Sequence, residues 1–131
     1  MTQIQTIILP VTTESPNENN YGHYMAKHRK NKELSGEYRL LIQSELNRTK
    51  IKKAKKGECY HLEITSVRKR LFDHDNSDAS NKLLIDCLRR QGFIWDDDPK
   101  HLRHGIKYRQ YKLKETRLEF PQTIISRRLS E

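Results

Sequence analysis

The chain has 131 residues, a formal net charge of +9 and a sequence pI near 9.7. With 34% of residues hydrophobic and 33% charged, one modest core beneath a dense charged surface is expected, a single domain over 1–131. No apolar run approaches the ~20 residues that span a bilayer, so a helical membrane protein is excluded. The opening MTQIQTIILPV lacks the basic n-region and long apolar core of a signal peptide. Cys59 and Cys87 form neither a disulfide framework nor a CxxC pair. Reduced thiols in a cytoplasmic protein are the expectation. The basic balance favours a polyanionic partner, most often nucleic acid.

In chain order, Gln3–Leu9 is a β-branched run stopped by Pro10 and reads as an edge strand. Residues 12–21 (TTESPNENNY) have loop composition. Leu34, Tyr38, Leu41 and Ile42, with Leu46 at the rim, mark one face of a helix over Asn31–Arg48, interrupted only by Gly36. Lys50–Lys56 holds five lysines and reads as an exposed connector. Tyr60, Leu62 and Ile64 alternate with polar residues, which predicts a half-buried strand over Cys59–Thr65. A second helix runs from about Ser77 to Gln91, with Leu83, Leu84, Cys87 and Leu88 on one face and Gly92 as its stop. Gly105–Leu113 and Thr116–Phe120 read as two last strands, with a bulge near Tyr111 where the alternation changes phase. From about residue 124 the chain reads as a frayed polar tail. The order β-α-β-α-β-β implies an α+β fold, a mixed sheet with helices packed on one side.

The densest acidic region, FDHDNSDASNKLLIDCLRRQGFIWDDDP, surrounds the second helix. Concentrated carboxylates in so basic a chain suit a divalent cation, and a hard ion such as Mg²⁺ takes carboxylate oxygens. On an extended chain Asp73 and Asp75 share a side, and Asp97 returns after the helix. The plainer reading is a turn with a helix N-cap, followed by a polar turn at Asp-Asp-Asp-Pro. Both stay open on pattern alone. An EF-hand is a poor fit, because Asp78 and Leu84 stand where that loop needs Gly and Glu. The spacing of Cys59, His61, His101 and His104 matches no usual zinc pattern. Arg68, Lys69 and Arg70, just ahead of the carboxylate pair, would place phosphate binders beside a metal site.

These residues resemble the RusA family of Holliday junction resolvases, many of them encoded by phages and prophages. The likeness rests on Asp73-His74-Asp75-Asn76, Lys82, Asp86, Gly92 and Asp96-Asp97. Lys82 follows the longer of two spacings found in the family. Pro16-Asn17, His23-Tyr24 and Ala26-Lys27-His28-Arg29 are similar to its N-terminal region, and Arg117-Leu118-Glu119-Phe120 to its closing strand. Asp98 departs from the pattern and leaves the returning ligand at Asp97 or, one position earlier, Asp96. The resemblance implies a Mg²⁺-dependent endonuclease, active as a homodimer on branched DNA such as a four-way junction, without a small-molecule cofactor. It implies Asp73, Asp75 and Asp97 as metal-binding and catalytic carboxylates, with Lys82 acting on the phosphate or the attacking water. Lys27, Arg29, Arg68, Lys69 and Arg70 are then the expected DNA contacts. A non-catalytic basic DNA-binding protein is the alternative.

Overall fold

The computed structural model describes residues 3–13, 24–71 and 74–130, and for residues 24–28 and 74–80 the backbone alone. Among the described residues the order is β1 (Ile4–Leu9), α1 (Tyr24–Thr49), β2 (Tyr60–Arg68), α2 (His74–Arg90), β3 (Leu102–Lys112) and β4 (Gln122–Leu129), with a short 3-10 turn at Leu113–Glu115 between the last two. The strands form one mixed sheet in the order β1-β4-β2-β3. β4 runs antiparallel to both of its neighbours, while β2 and β3 are parallel and joined through α2. A parallel pair needs such a crossover, since a tight turn cannot reverse twice. The fold is therefore α+β, as the periodicities predict.

The register aligns Ile7, Ile125, Ile64 and Tyr108 across all four strands. Those side chains share the face that the helices cover. Tyr38, Ile42 and Leu46 of α1 and Leu84, Ile85 and Leu88 of α2 complete the core. The α1 stripe is the one that its spacing predicts. The helix begins seven residues before the expected Asn31, at Tyr24, because the basic stretch ahead carries no apolar stripe to reveal it. No helix among the described residues is long and apolar enough to cross a membrane. Both cysteines are free.

Three expectations need correction. Thr116–Phe120 is not a strand, and Leu118 and Phe120 are exposed there. The expected tail is instead β4, an interior strand whose Thr123-Ile124-Ile125 run carries the β-branched signal. The irregularity in β3 lies at its start, not near Tyr111: between the pairs Tyr60–Leu102 and Leu62–Ile106, β3 uses two extra residues. His104 and Gly105 take positive φ there, 60° and 73°.

Arg127 ties this fold together, although its position suggested a solvated tail. It is 3% exposed. Its Nη1 donates to the Phe93 carbonyl and its Nε to Gln5 Oε1, each at 2.8 Å, and Nη2 donates to the Lys52 carbonyl. The guanidinium lies 4.9 Å from the ring centroids of both Tyr60 and Phe93. One side chain thus joins β4, β1, the lysine connector and the segment after α2. At the β1 edge, Glu45 Oε1 accepts the Ile8 N–H at 2.8 Å, covering part of an otherwise open edge.

Gly36, inside α1, makes a separate point. A Cβ built there meets nothing within 4 Å. Gly36→Ala should therefore stabilise the protein by roughly 0.5–1 kcal/mol, through helix propensity alone. Urea unfolding measures this, and a loss of stability would mean that the groove beside α2 needs the bare backbone.

Candidate metal centre

The acidic loop is fixed at both ends by local chemistry. α2 stops in a left-handed turn at Gly92 (φ 83°), with the Phe93 N–H bonded to the Leu88 carbonyl and the Gly92 N–H to that of Arg89. That pair of bonds satisfies two of the helix's last carbonyls. The positive φ favours glycine here, and a Cβ at position 92 would also press on the Lys53 side chain at 3.0 Å. Phe93 and Ile94 then enter the core, both fully buried, and Trp95 emerges, 41% exposed.

The three carboxylates that follow do different work. Asp96 Oδ1 accepts the Asp97 N–H at 2.7 Å. That bond and the Asp97 side chain, with Arg89 and His101 nearby, hold the Asp96 carboxyl below its usual range, so it stays ionised. Asp98 caps a short turn: its Oδ1 accepts the His101 N–H at 3.0 Å and meets His101 Nδ1 at 2.6 Å, with Pro99 in the first position. Asp97 is exposed.

Ligand atoms of Asp96, Asp98 and His101 lie within 4.8 Å of one another, so this group could hold a metal ion. The donor set is mixed. Imidazole nitrogen suits zinc, copper or iron, whereas Mg²⁺ asks for oxygen. The hard donors within this group are the carboxylate oxygens of Asp96 and Asp98, and Asp97 is not part of it. The plainer reading of Asp-Asp-Asp-Pro is thus right for Asp98, which serves the turn.

The remaining expected residues lie elsewhere. Asp73 is outside the described residues. Asp75 sits in the first turn of α2, and its side chain is outside them too. α2 has 17 residues, so its two ends stand about 24 Å apart. The acidic loop stays with the far end, where Asp96 and Asp97 act electrostatically on Arg89. It also meets the start of β2, because the Tyr60 N–H donates to the His101 carbonyl. Within one chain, therefore, the structure does not bring Asp97 to Asp75.

Lys82 is exposed midway along α2. A structural role would be an i,i+4 ion pair with Asp78 or Asp86: Asp86 binds Arg89 at 2.7 Å and Arg90 at 3.2 Å, and the Asp78 side chain lies outside the described residues.

Arg68 corrects another expectation. It is 5% exposed and donates from Nη2 to Thr13 Oγ1 at 2.7 Å. Its even position in β2, in phase with Leu62 and Ile64, turns it under the helices. Lys69 and Arg70, just past the strand, are exposed, as is Arg29 on α1; the Lys27 side chain is outside the described residues. Arg127, which anchors the Phe93 carbonyl three residues before Asp96, is the supporting residue that sequence reasoning missed. No protein-family model matches the chain, and no curated protein matches it.

Proposed function

We propose that this chain is a Mg²⁺-dependent endodeoxyribonuclease that resolves four-way junctions or other branched DNA in recombination and repair, acting as a homodimer. One observation carries the reading. In a basic chain, both ends of α2 are acidic: Asp73-His74-Asp75-Asn76 at its start, and the Asp96-Asp97 loop beyond its stop. Carboxylates sharing one Mg²⁺ need oxygens within roughly 4 Å of each other. A helix of 17 residues separates these ends by about 24 Å, so the shared pocket requires two copies. A two-fold arrangement sets the start of α2 in one copy against the acidic loop of the other and completes two sites at once. Asp73 and Asp75 then act with the partner's Asp97. Two equivalent sites also suit a junction of approximate two-fold symmetry, which needs paired nicks.

Bound Mg²⁺ would activate water and offset charge on the phosphate and leaving oxygen. The chain's own residues supply the carboxylates and cations. Lys82, exposed on α2 between the two acidic ends, directs its ammonium at the scissile phosphate or the water.

The test is nicking of a synthetic four-way junction in Mg²⁺, abolished by EDTA and restored by added Mg²⁺. Flap and linear DNA separate junction resolution from broader nuclease activity. Lys82→Met should melt and bind junctions like wild type, since it keeps the apolar stem, but lower kcat on the order of 100-fold. Unimpaired turnover would remove Lys82 from the mechanism. The alternative, a DNA-binding protein without catalysis, is favoured by the distance between the acids within one chain. It predicts metal-independent binding and no cleavage of any substrate.

A further inference from the structure

The face of the sheet away from the helices carries a pattern that the metal site does not use. Its register sets His61 beside Arg128, and Glu63 between Ser126 and Lys107. The extra residues in β3 bring His104 over the same face, where its ring stacks on His61 with centroids 5.8 Å apart. His104 takes a left-handed φ to do so, a conformation uncommon for a non-glycine residue. Bulges of this kind re-aim side chains at functional edges.

Together these strands line an open groove of about 630 Å³ whose charged residues are Arg103, Lys107, Arg127, Arg128 and Glu63. Arg127 is turned into the core, as described above. Glu63, the one carboxylate lining the groove among the described residues, is paired with Arg109 at 2.7 Å. Arg103, Lys107 and Arg128 are all exposed, which leaves a surplus of three positive charges. Burial, then Arg128, His104 and Arg103, depress the His61 pKa, so that ring stays neutral among the cations at pH 7.

We infer that this helix-free face is a docking surface for the phosphate backbone of DNA, held by Arg103, Lys107 and Arg128. The inference rests on the proposed DNA substrate and names the surface that binds it. Charge complementarity selects the occupant. Duplex DNA carries one negative charge per ~1.7 Å of axis, whereas a second copy packed on this face across a two-fold would set like charges against each other. Arg128 and Lys107 stand two strands and two residues apart, roughly 12 Å, a spacing that engages separate phosphates. The face also begins where the acidic loop ends, because Arg103 follows His101 by two residues. A backbone tracked along it arrives at that loop.

The test measures binding of a labelled four-way junction and a duplex in EDTA, across a range of KCl, for the full chain and for Arg103→Gln/Lys107→Gln/Arg128→Gln. Each lost phosphate contact lowers the log–log salt slope by about 0.9, so the triple variant should lose between 2 and 3 units on both DNAs. Its affinity should fall at least 10-fold at about 100 mM salt. The three single variants, each expected to lose about 0.9 unit, decide the matter if the triple variant melts early. Arg39→Gln on α1 should leave the slope unchanged. An unchanged slope in folded variants would overturn the inference, as would altered self-association with unaltered DNA binding, or binding to anionic vesicles in place of DNA. Because EDTA prevents metal-dependent nicking, these outcomes are independent of catalysis. Slope loss without any Mg²⁺-dependent cleavage keeps this surface and removes the nuclease; cleavage with an unchanged slope does the reverse.

Discussion

Arg127→Leu should lower the free energy of unfolding by about 3–5 kcal/mol, the largest loss expected from any single substitution outside the apolar core. The guanidinium is fully covered, lies between the Tyr60 and Phe93 rings, and donates to the Phe93 and Lys52 carbonyls and to Gln5. Leucine would fill part of the space and leave three acceptors unsatisfied, each costing about 1–3 kcal/mol before relaxation. Arg127→Lys should recover little, because an ammonium cannot reproduce a planar fork stacked between two rings. Burial lowers the Arg127 pKa, yet an arginine so placed remains charged, so the contacts are charge-assisted. Urea unfolding monitored through Trp95 provides the measurement. A change below about 1 kcal/mol would mean that the network only replaces bonds to water.

The second large effect is on catalysis. Asp75→Asn should reduce junction nicking at least ~1,000-fold, while leaving junction binding in EDTA equal or tighter. An amide keeps the size of the carboxylate but removes the negative charge that holds the cation. It also removes one source of repulsion toward DNA phosphates, which gives the expected direction for binding. The Asp75 backbone lies in the first turn of α2, where a neutral side chain forfeits only a few tenths of a kcal/mol with the helix dipole. Loss of thermal stability in step with loss of activity would instead mark the residue as structural. Near-normal nicking would reduce the acidic stretch to a solvated turn.

How far the sequence speaks for the fold varies from one residue to the next. Tyr38, Ile42 and Leu46 are buried where a helical period puts them, because α1 packs through one stripe alone. In α2, Ile85 and Asn81 are buried beside the expected Leu84 and Leu88, since the helix presses on both the sheet and α1 and buries a wider arc. Gly92 speaks for itself as a stop. Leu118 and Phe120 mimic a strand by alternation but stay exposed, 41% and 51%. Arg127 and Arg68 read as surface because their partners are carbonyls, rings and a hydroxyl distant in sequence. The candidate site divides in the same way. Its carboxylates are plain in the sequence, and Asp98 followed by Pro99 already has the form of a helix cap. The helix between Asp75 and Asp97 is plain as well, but that the acidic loop stays at its far end depends on the bond from the Tyr60 N–H to the His101 carbonyl, which no local pattern records.

That separation allows a direct test of whether the two acidic ends form one site between two copies. Asp75→Asn and Asp97→Asn chains, each inactive alone, are mixed, unfolded and refolded together before assay on a four-way junction in Mg²⁺. If the site is shared, mixed dimers contain one site with both carboxylates intact, and an equal mixture regains about one quarter of the wild-type sites. Nicking should return to about that fraction, as single-strand breaks on one arm pair. A mixture as inactive as its components, beside a wild-type protein that cleaves, would contradict the shared site and return the third carboxylate to the same chain.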